Sequence, residues 1–205
     1  MHWKEVPLPE RMKDLPFDSR GFPIPYVIYW DKSGVPQFKI NDEKKSQKCL
    51  LDRLCAICGQ KLGDDMWLTG GAQSAFHERG AYFDTPMHHE CGVYALKVCP
   101  YLASRNYNTL MPEEKFKNVD ADPGMLFIDP TMDPTRPEVF IFIKFSDFTV
   151  RRIPKSPKRY VVPKRPYEAV EFWDKGQRIE VRMPKELQHL VKPQNTQNII
   201  PWGKR

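Results

Sequence analysis

Two pairs of residues with metal-ligating side chains are the clearest chemical signal in this sequence. Cys55 and Cys58 are separated by two residues, and His88 and Cys91 repeat that separation after a further 29 residues, giving the pattern C-x2-C-x29-H-x2-C. Thiolate and imidazole groups at this spacing can bind Zn²⁺, whose structural sites use four Cys or His ligands in a tetrahedron. Because four protein ligands leave no position for water, the pattern predicts one structural zinc ion and argues against a catalytic one.

The other cysteine and histidine residues leave alternatives to this set. His89 competes with His88, which we prefer because its spacing to Cys91 suits the start of a helix. The ligands could also be ordinary buried thiols and a loop histidine. Cys49 and Cys99 are interpreted as small buried hydrophobic residues, with a second metal or redox pair as the alternative. The odd count of five cysteines argues against a closed disulfide framework and favours a reducing compartment.

The segments around the four ligands predict a treble-clef arrangement, in which a knuckle turn, a hairpin and a helix surround the metal. Gly59 and Gly63 permit the positive φ that a knuckle turn needs. Strands are predicted at residues 66–69 and 81–83, between the two ligand pairs. A helix is predicted to begin at Cys91 and to end near Val98, where Pro100 stops it.

Outside this module, short elements of both kinds predict one α+β domain with few helices. We divide it into a Pro-rich arm and β-hairpin (1–48), a treble-clef zinc module (49–102) and a loop-rich β region (103–205). Pro makes up 20 of 205 residues, which disfavours long regular elements. Strands are predicted at residues 26–30, 37–40, 139–145, 148–153, 159–162 and 168–173, and short helices at 42–54 and 184–190.

The charge of the chain is concentrated in its last third. Residues 151–205 carry 14 Lys and Arg against 5 Asp and Glu, whereas the whole chain has a net charge of only +6. The basic segment 151–165 contains no acidic residue, and its cations and Tyr160 could neutralise phosphates and stack on bases. A solvated basic hairpin is the alternative. The candidate nucleic-acid-binding residues are Arg151, Arg152, Lys155, Lys158, Arg159, Tyr160, Lys164 and Arg165.

Several short motifs along the chain resemble one known group of proteins. They are Arg20-Gly21-Phe22-Pro23-Ile24-Pro25, Cys55 to Gly63, Pro86-Met87-His88, Cys91 with Cys99-Pro100-Tyr101-Leu102, and Glu171-Phe172-Trp173 with Gly176. In this order they resemble a group of bacterial and bacteriophage proteins with the pattern RGFPxP … CxxCGxxLG … PxH-x2-C-x7-CP-x-L … E-[FW]-[YW]-x2-G. The resemblance implies a zinc-binding single domain, a phage or bacterial source and His88 as the ligand. It carries over no catalytic residue.

Three functions remain open at this point. The first is a non-catalytic binding protein that contacts nucleic acid through the basic segment. The second is a protein-binding factor, such as a phage-encoded inhibitor of a host enzyme or a small assembly component, which would use the arm 20–25, Trp3, Trp30 and the segment 199–205. The third is a His-metal-finger nuclease with His77 as base and His89 on the metal, although the usual Asp-His strand motif and the later Asn are missing.

The sequence favours a binding protein over an enzyme and predicts where it acts. Neither a nucleotide-binding glycine motif nor a nucleophile motif occurs in the chain, so we expect no small-molecule cofactor. There is no apolar run near the 18 residues or so of a membrane span, and the N-terminus lacks the apolar core of a signal peptide. We therefore expect a cytoplasmic protein without a membrane partner, in the host cytosol if it is phage-encoded.

Overall fold

The largest sheet of the described residues has four antiparallel strands, in the order Trp67–Gly70 (β3), Phe140–Lys144 (β4), Ala169–Asp174 (β7) and Gln177–Ile179 (β8). The structure is a computed structural model that describes residues 3–104, 137–153, 158–193 and 199–201. The sheet belongs to a mixed α+β fold of short elements. The strands are β1 Ile28–Trp30, β2 Pro36–Asn41, β3 Trp67–Gly70, β4 Phe140–Lys144, β5 Phe148–Arg152, β6 Arg159–Pro163, β7 Ala169–Asp174, β8 Gln177–Ile179, β9 Val181–Met183 and β10 Ile199–Pro201. The helices are α1 Glu43–Asp52, α2 Ala72–Phe76, α3 His89–Val98, α4 Pro100–Ala103 and α5 Lys185–Gln188, and two single-turn 3-10 helices span Trp3–Glu5 and Glu10–Met12.

The apolar run at residues 139–145 forms the inner strand β4, as its burial on both faces predicts. Phe142 and Ile143 are completely buried. Ile143 lies opposite Leu68 of β3 on one side and opposite Val170 of β7 on the other. Because β3 comes from the predicted zinc module and β4 and β7 come from the C-terminal region, the two parts of the chain share one sheet and one core.

Helix α3 packs against this sheet through a glycine. A Cβ atom added at Gly92 would lie 2.3 Å from Cζ of Phe142, so only a residue without a side chain lets the helix approach β4 this closely. The helix ends where the sequence predicts: Cys99 is its C-cap, and Pro100 begins α4. Its first turn, which carries Cys91, is thereby held against the core.

Two antiparallel hairpins form outside the four-stranded sheet, the first where a hairpin is predicted and the second where two strands are predicted. β1 and β2 pair in an antiparallel hairpin with a bulge between Ile28 and Tyr29. β5 and β6 form the second hairpin, with Arg151 opposite Tyr160 and Arg152 opposite Arg159. Helix α1 follows the first hairpin, and the Asp42 side chain caps it by accepting a hydrogen bond from the Lys45 amide.

The pairing predicted between residues 66–69 and 81–83 is wrong. Within the described residues, β3 pairs with β4, while Tyr82 makes a single antiparallel bridge to Val161 of β6. The first four residues of β4 are apolar and buried, and the pairing of β3 with this distant strand replaces the local hairpin. No helix in the described ranges is long and apolar enough to cross a membrane.

Candidate metal centre

The four predicted ligands converge on one point. One ligand atom from each of Cys55, Cys58, His88 and Cys91 lies within 4.8 Å of the other three. A tetrahedral site with metal–ligand bonds of about 2.0–2.3 Å needs separations of about 3.6–3.8 Å, so the cluster reaches that geometry with small side-chain movements. All five cysteines are free thiols, and no disulfide competes for these sulfur atoms.

The first pair of ligands sits in a tight knuckle directly after α1. The helix ends at Arg53 in a left-handed conformation with φ of 52°, and Leu54 bridges to Lys61 across the turn. Gly59 closes the turn with φ of +74°, and an added Cβ would lie 2.9 Å from the Tyr26 ring. The N-terminal arm therefore packs directly on the knuckle.

The second pair of ligands sits at the start of α3. His88 is the N-cap residue and Cys91 lies in the first turn, so both side chains face the knuckle. The segment before them is anchored to the rest of the site, because Met87 bridges to Trp67 and the Pro86 carbonyl accepts a hydrogen bond from the Ala56 amide at 2.9 Å. The two ligand pairs are thus joined by backbone hydrogen bonds as well as by the cluster.

The imidazole of His88 has one nitrogen directed at the cluster and the other directed at the protein. Nδ1 lies 3.3 Å from Sγ of Cys58, and Nε2 lies 2.9 Å from the Lys61 carbonyl oxygen. Nη1 of Arg11 is also 3.0 Å from Nε2, and because a guanidinium only donates, Arg11 and the Lys61 carbonyl favour opposite tautomers of the ring. In the tautomer in which Nε2–H donates to the Lys61 carbonyl, Nδ1 is free to bind a metal, as is usual for metal-bound histidine.

Arg11 of the N-terminal arm contacts the cluster, and the sequence did not indicate this contact. It forms an ion pair with Glu90 on α3 and lies beside His88. Met12, its neighbour, is buried in the main core. The N-terminal arm therefore covers the outer side of the metal ligands. Because Arg11 is 77 residues from His88, no local spacing in the sequence could have indicated the contact.

The close packing of the ligands changes their proton affinities. Burial opposes ionisation of Cys55, but hydrogen bonds from Cys58, Cys91 and His88 outweigh it and lower the pKa of that thiol. Hydrogen bonds with Cys55 and Cys58 raise the pKa of the Cys91 thiol. Burial disfavours the imidazolium, yet hydrogen bonds to Cys55 and Cys58 raise the pKa of His88 to about 10. A metal must displace these protons, so its affinity falls as the pH falls.

His89 points away from the cluster. Its Nε2 lies 3.0 Å from Oε1 of the buried Glu171, and its ring lies against Trp67 and Phe142. Glu171 also accepts a hydrogen bond from the Trp173 indole at 3.0 Å. The geometry therefore places His88, and not its neighbour, in the cluster.

The remaining cysteines and His77 lie outside the cluster. Cys49 is fully buried, and burial raises the pKa of its thiol to about 12. Cys99 caps α3 and is half-buried. Within the described part of the chain, the four-residue set is the only group of three or more potential ligands. The Nδ1 atom of His77, the base of the nuclease hypothesis, accepts a hydrogen bond from the Arg79 amide.

The structure distributes the basic candidates over several environments. Arg151, Arg152, Arg159 and Tyr160 lie on the β5–β6 hairpin, and the half-buried Lys158 directly precedes β6. Lys164 is exposed just after β6. Lys155 lies outside the described residues, as do residues 202–205 of the C-terminal segment.

Arg165 has a structural role within the fold. Its guanidinium donates hydrogen bonds to the carbonyl oxygens of Ala75 and His77, at 3.1 and 2.6 Å, near the end of α2. It also donates to the Tyr167 hydroxyl at 3.1 Å. This guanidinium is therefore already engaged with the protein.

The cluster offers four protein groups to a metal ion. Three thiolates and one imidazole suit a d¹⁰ or soft cation such as Zn²⁺, and they supply all four positions of a tetrahedron. No protein-family model, no curated protein and no solved structure matches the chain.

Proposed function

We propose that the protein is a non-catalytic binding protein, stabilised by one structural Zn²⁺ ion in a treble-clef-like module, that binds nucleic acid through the β5–β6 hairpin. Three features support the module: a knuckle with the first two ligands, a helix that begins at the other two, and the Trp67–Met87 bridge between them. The resemblance to bacterial and phage proteins supports action in a bacterial cytosol.

The observation that carries the nucleic-acid proposal is a pair of directly opposed arginines. Arg152 and Arg159 are cross-strand partners in the hairpin. Like charges in this position repel one another and destabilise the pairing. Neither they nor Arg151 forms an ion pair with an acidic side chain in the described residues, so the repulsion is not relieved internally. A phosphate bound between the two guanidinium groups would offset it.

Tyr160 adds an aromatic surface to this charge. It lies directly opposite Arg151, on the other face of the hairpin from the Arg152–Arg159 pair, because neighbouring strand residues alternate between faces. The tyrosine is half-buried, so part of its ring is open to solvent. An arginine beside an aromatic ring can hold a phosphate while the ring stacks on an unpaired base, which favours single-stranded nucleic acid.

Fluorescence anisotropy with a labelled oligothymidylate tests this proposal. If Arg151, Arg152 and Arg159 each neutralise one phosphate, log Kd should change with log salt with a slope of about 2. The affinity should then fall about 20-fold between roughly 50 and 200 mM salt. Affinity that does not respond to salt would contradict the proposed contacts.

A pair of matched double variants separates this hairpin from general positive charge. Arg152→Ser with Arg159→Ser should reduce the salt slope to about 0.7, because two phosphate contacts are lost. Arg79→Ser with Lys185→Ser removes the same charge from exposed positions elsewhere and should keep the slope near 2. Equal losses in the two double variants would refute a specific role for the hairpin.

The protein-binding alternative has one observation in its favour. Three large apolar side chains of the β1–β2 hairpin are exposed: Trp30 at 37%, Val35 at 50% and Phe38 at 39%. A pull-down from nuclease-treated bacterial lysate should lose a protein partner in a Val35→Ser, Phe38→Ser variant if this surface is the functional one. A protein partner that is retained only when nuclease is omitted, and only when Arg152 and Arg159 are intact, would support the nucleic-acid proposal instead.

A further inference from the structure

Strand β5 has one edge that no other strand pairs with in the described part of the chain. It pairs with β6 alone, and four of its five side chains, Thr149 to Arg152, are exposed. Val150 is 36% exposed, although its cross-strand partner Val161 is completely buried. The hairpin therefore packs on the rest of the fold through β6, and β5 lies at its margin. An open edge of this kind can pair with a further strand.

The hydrogen bonds at the two ends of the hairpin show which backbone groups of β5 face β6. The Lys164 amide donates to the Asp147 carbonyl at 2.8 Å, and the Ile153 amide donates to the Lys158 carbonyl at 3.0 Å. Hydrogen-bonded and non-hydrogen-bonded pairs alternate in an antiparallel ladder, so residues 149 and 151 also bond to β6. The residues between them face the open edge, where the Phe148 amide donates to the Asp147 carboxylate at 2.9 Å.

Val161 on β6 agrees with this alternation. It exchanges two backbone hydrogen bonds with Tyr82, at 2.8 and 2.9 Å, on the side away from β5. Its partner Val150 therefore directs its own N–H and C=O groups to the open edge. Arg152, two residues later, does the same, and Phe148 adds a carbonyl. The edge thus presents two donors and three acceptors from its backbone.

These backbone groups match those of a second copy of the same strand. Antiparallel pairing about a two-fold axis at Val150 lets the two Val150 residues exchange hydrogen bonds and lets each Arg152 amide donate to the Phe148 carbonyl of the second copy. The same register places the Arg152 side chain opposite the Phe148 ring, which is a favourable cation–π pairing. Arg151 then lies opposite Thr149, and no two arginines are directly opposed.

Charge selects this register over its neighbours. Pairing about Arg152 would oppose two like charges directly, which destabilises a sheet. Pairing about Phe148 would lose a donor, because that amide is already bonded to Asp147. Around Val150 the two Arg152 residues lie about 13 Å apart along the strands, beyond the Debye length of about 8 Å at physiological salt. The two Arg151 residues remain diagonal neighbours about 7–8 Å apart, so one exposed repulsion is left for salt to screen.

We propose that the open edge of β5 is a homodimer interface, at which two copies of the chain join their hairpins into one four-stranded sheet with the order β6-β5-β5-β6. A second copy is the occupant that this edge specifies, because its donors, acceptors and side chains complement their own copies. The pairing also places Val150 beside its copy and removes it from water.

The dimer does not depend on nucleic acid, and salt affects the two kinds of binding in opposite directions. Salt screens the repulsion between the Arg151 residues and should strengthen the dimer, whereas it weakens contacts to phosphate. The failure of this proposal is therefore distinguishable from the failure of the nucleic-acid proposal.

Sedimentation velocity of the metal-loaded protein without nucleic acid tests the interface. We expect a dimer fraction that increases with protein concentration, and a dissociation constant that falls at least about twofold between roughly 50 and 500 mM salt. A chain that stays monomeric up to about 1 mM would overturn the proposal. Protection of the Val150 amide from hydrogen exchange only after addition of oligothymidylate would assign the edge to nucleic acid and would also overturn it.

A charge swap at the two-fold axis tests the register. Val150→Lys and Val150→Glu each place like charges opposite one another and should weaken the dimer at least about tenfold. An equimolar mixture of the two variants should restore it, because lysine then lies opposite glutamate. Val35→Lys changes an exposed valine of the other hairpin and should leave the dimer unchanged. If the mixture is no more dimeric than either variant alone, the proposed register is refuted.

Discussion

The contact between α3 and the central sheet predicts the effect of a single methyl group. In Gly92→Ala the new Cβ would lie 2.3 Å from Cζ and 2.8 Å from Cε2 of Phe142, and 3.1 Å from the sulfur of Met87. Ordinary carbon contacts are about 3.5–4.0 Å. The Phe142 ring cannot move aside easily, because it is fully buried and packs against both Trp67 and His89.

The sign of the effect follows from two opposing terms. Replacing glycine by alanine inside a helix favours the helix by about 1 kcal/mol. Overpacking a filled core costs about 1–3 kcal/mol, and a contact this short belongs at the upper end. We therefore expect Gly92→Ala to lower the free energy of unfolding by about 2 kcal/mol. The first turn of α3 carries Cys91, so the variant should also release metal more readily to a chromogenic chelator.

Urea denaturation of the metal-loaded protein in a double-mutant cycle measures directly the free-energy cost of the contact between the new Cβ and the Phe142 ring. Phe142→Leu alone should destabilise the core by leaving a cavity. Adding Gly92→Ala to that variant should be neutral or stabilising, because the ring that blocks the Cβ is gone and the helix preference remains. If Gly92→Ala stabilises the wild-type chain, or costs the same with and without the ring, the described packing of α3 on β4 is incorrect.

Three further outcomes follow from the buried polar groups. Tyr82→Phe removes a buried hydroxyl that has no hydrogen-bond partner among the described residues. The variant should leave the free energy of unfolding unchanged or raise it by up to about 1 kcal/mol, whereas a loss of stability would reveal a partner. Because burial raises the pKa of Cys49 to about 12, peptide mapping after iodoacetamide treatment near pH 8 should find it unmodified in the folded protein, and rapid labelling would contradict its burial. Burial opposes ionisation of Glu171, but hydrogen bonds from His89 and Trp173 outweigh it and lower its pKa from the ordinary 4.5. The ionised carboxylate therefore stabilises the fold above that pH, and this contribution is lost as the pH falls below it. In urea denaturation, the difference in unfolding free energy between the wild type and Glu171→Gln should therefore shrink on acidification. A difference that does not change with pH would show that the ionised carboxylate does not stabilise the fold.

Local patterns predict much of this fold. The alternation and turn residues of β1–β2, the capping Asp42 of α1, and the proline that ends α3 each act within a few residues. The continuous apolar run of β4 also signals burial without any knowledge of its neighbours. The ligand spacing likewise brings together all four members of the metal cluster, because a knuckle turn and a helix start impose their own geometry.

Distant contacts left no such signal. Strand β3 pairs with β4, which lies about 70 residues later, and Tyr82 bridges to Val161. The choice of β4 over a local hairpin depends on which partner buries more apolar surface, and a linear pattern does not compare the two. Arg165 illustrates the same point, because its charge indicated a ligand-binding residue while its hydrogen bonds serve α2.

Elemental analysis of protein purified without added metal tests the central claim most directly. We predict about one zinc per chain in the wild type and in His89→Ala, and its loss in Cys58→Ser and His88→Ala. Because zinc binding supplies on the order of 10 kcal/mol in small zinc modules, chelation should also unfold the region around the knuckle and α3. A folded wild-type protein without zinc, or zinc that is lost in His89→Ala but retained in His88→Ala, would contradict the proposed ligand set.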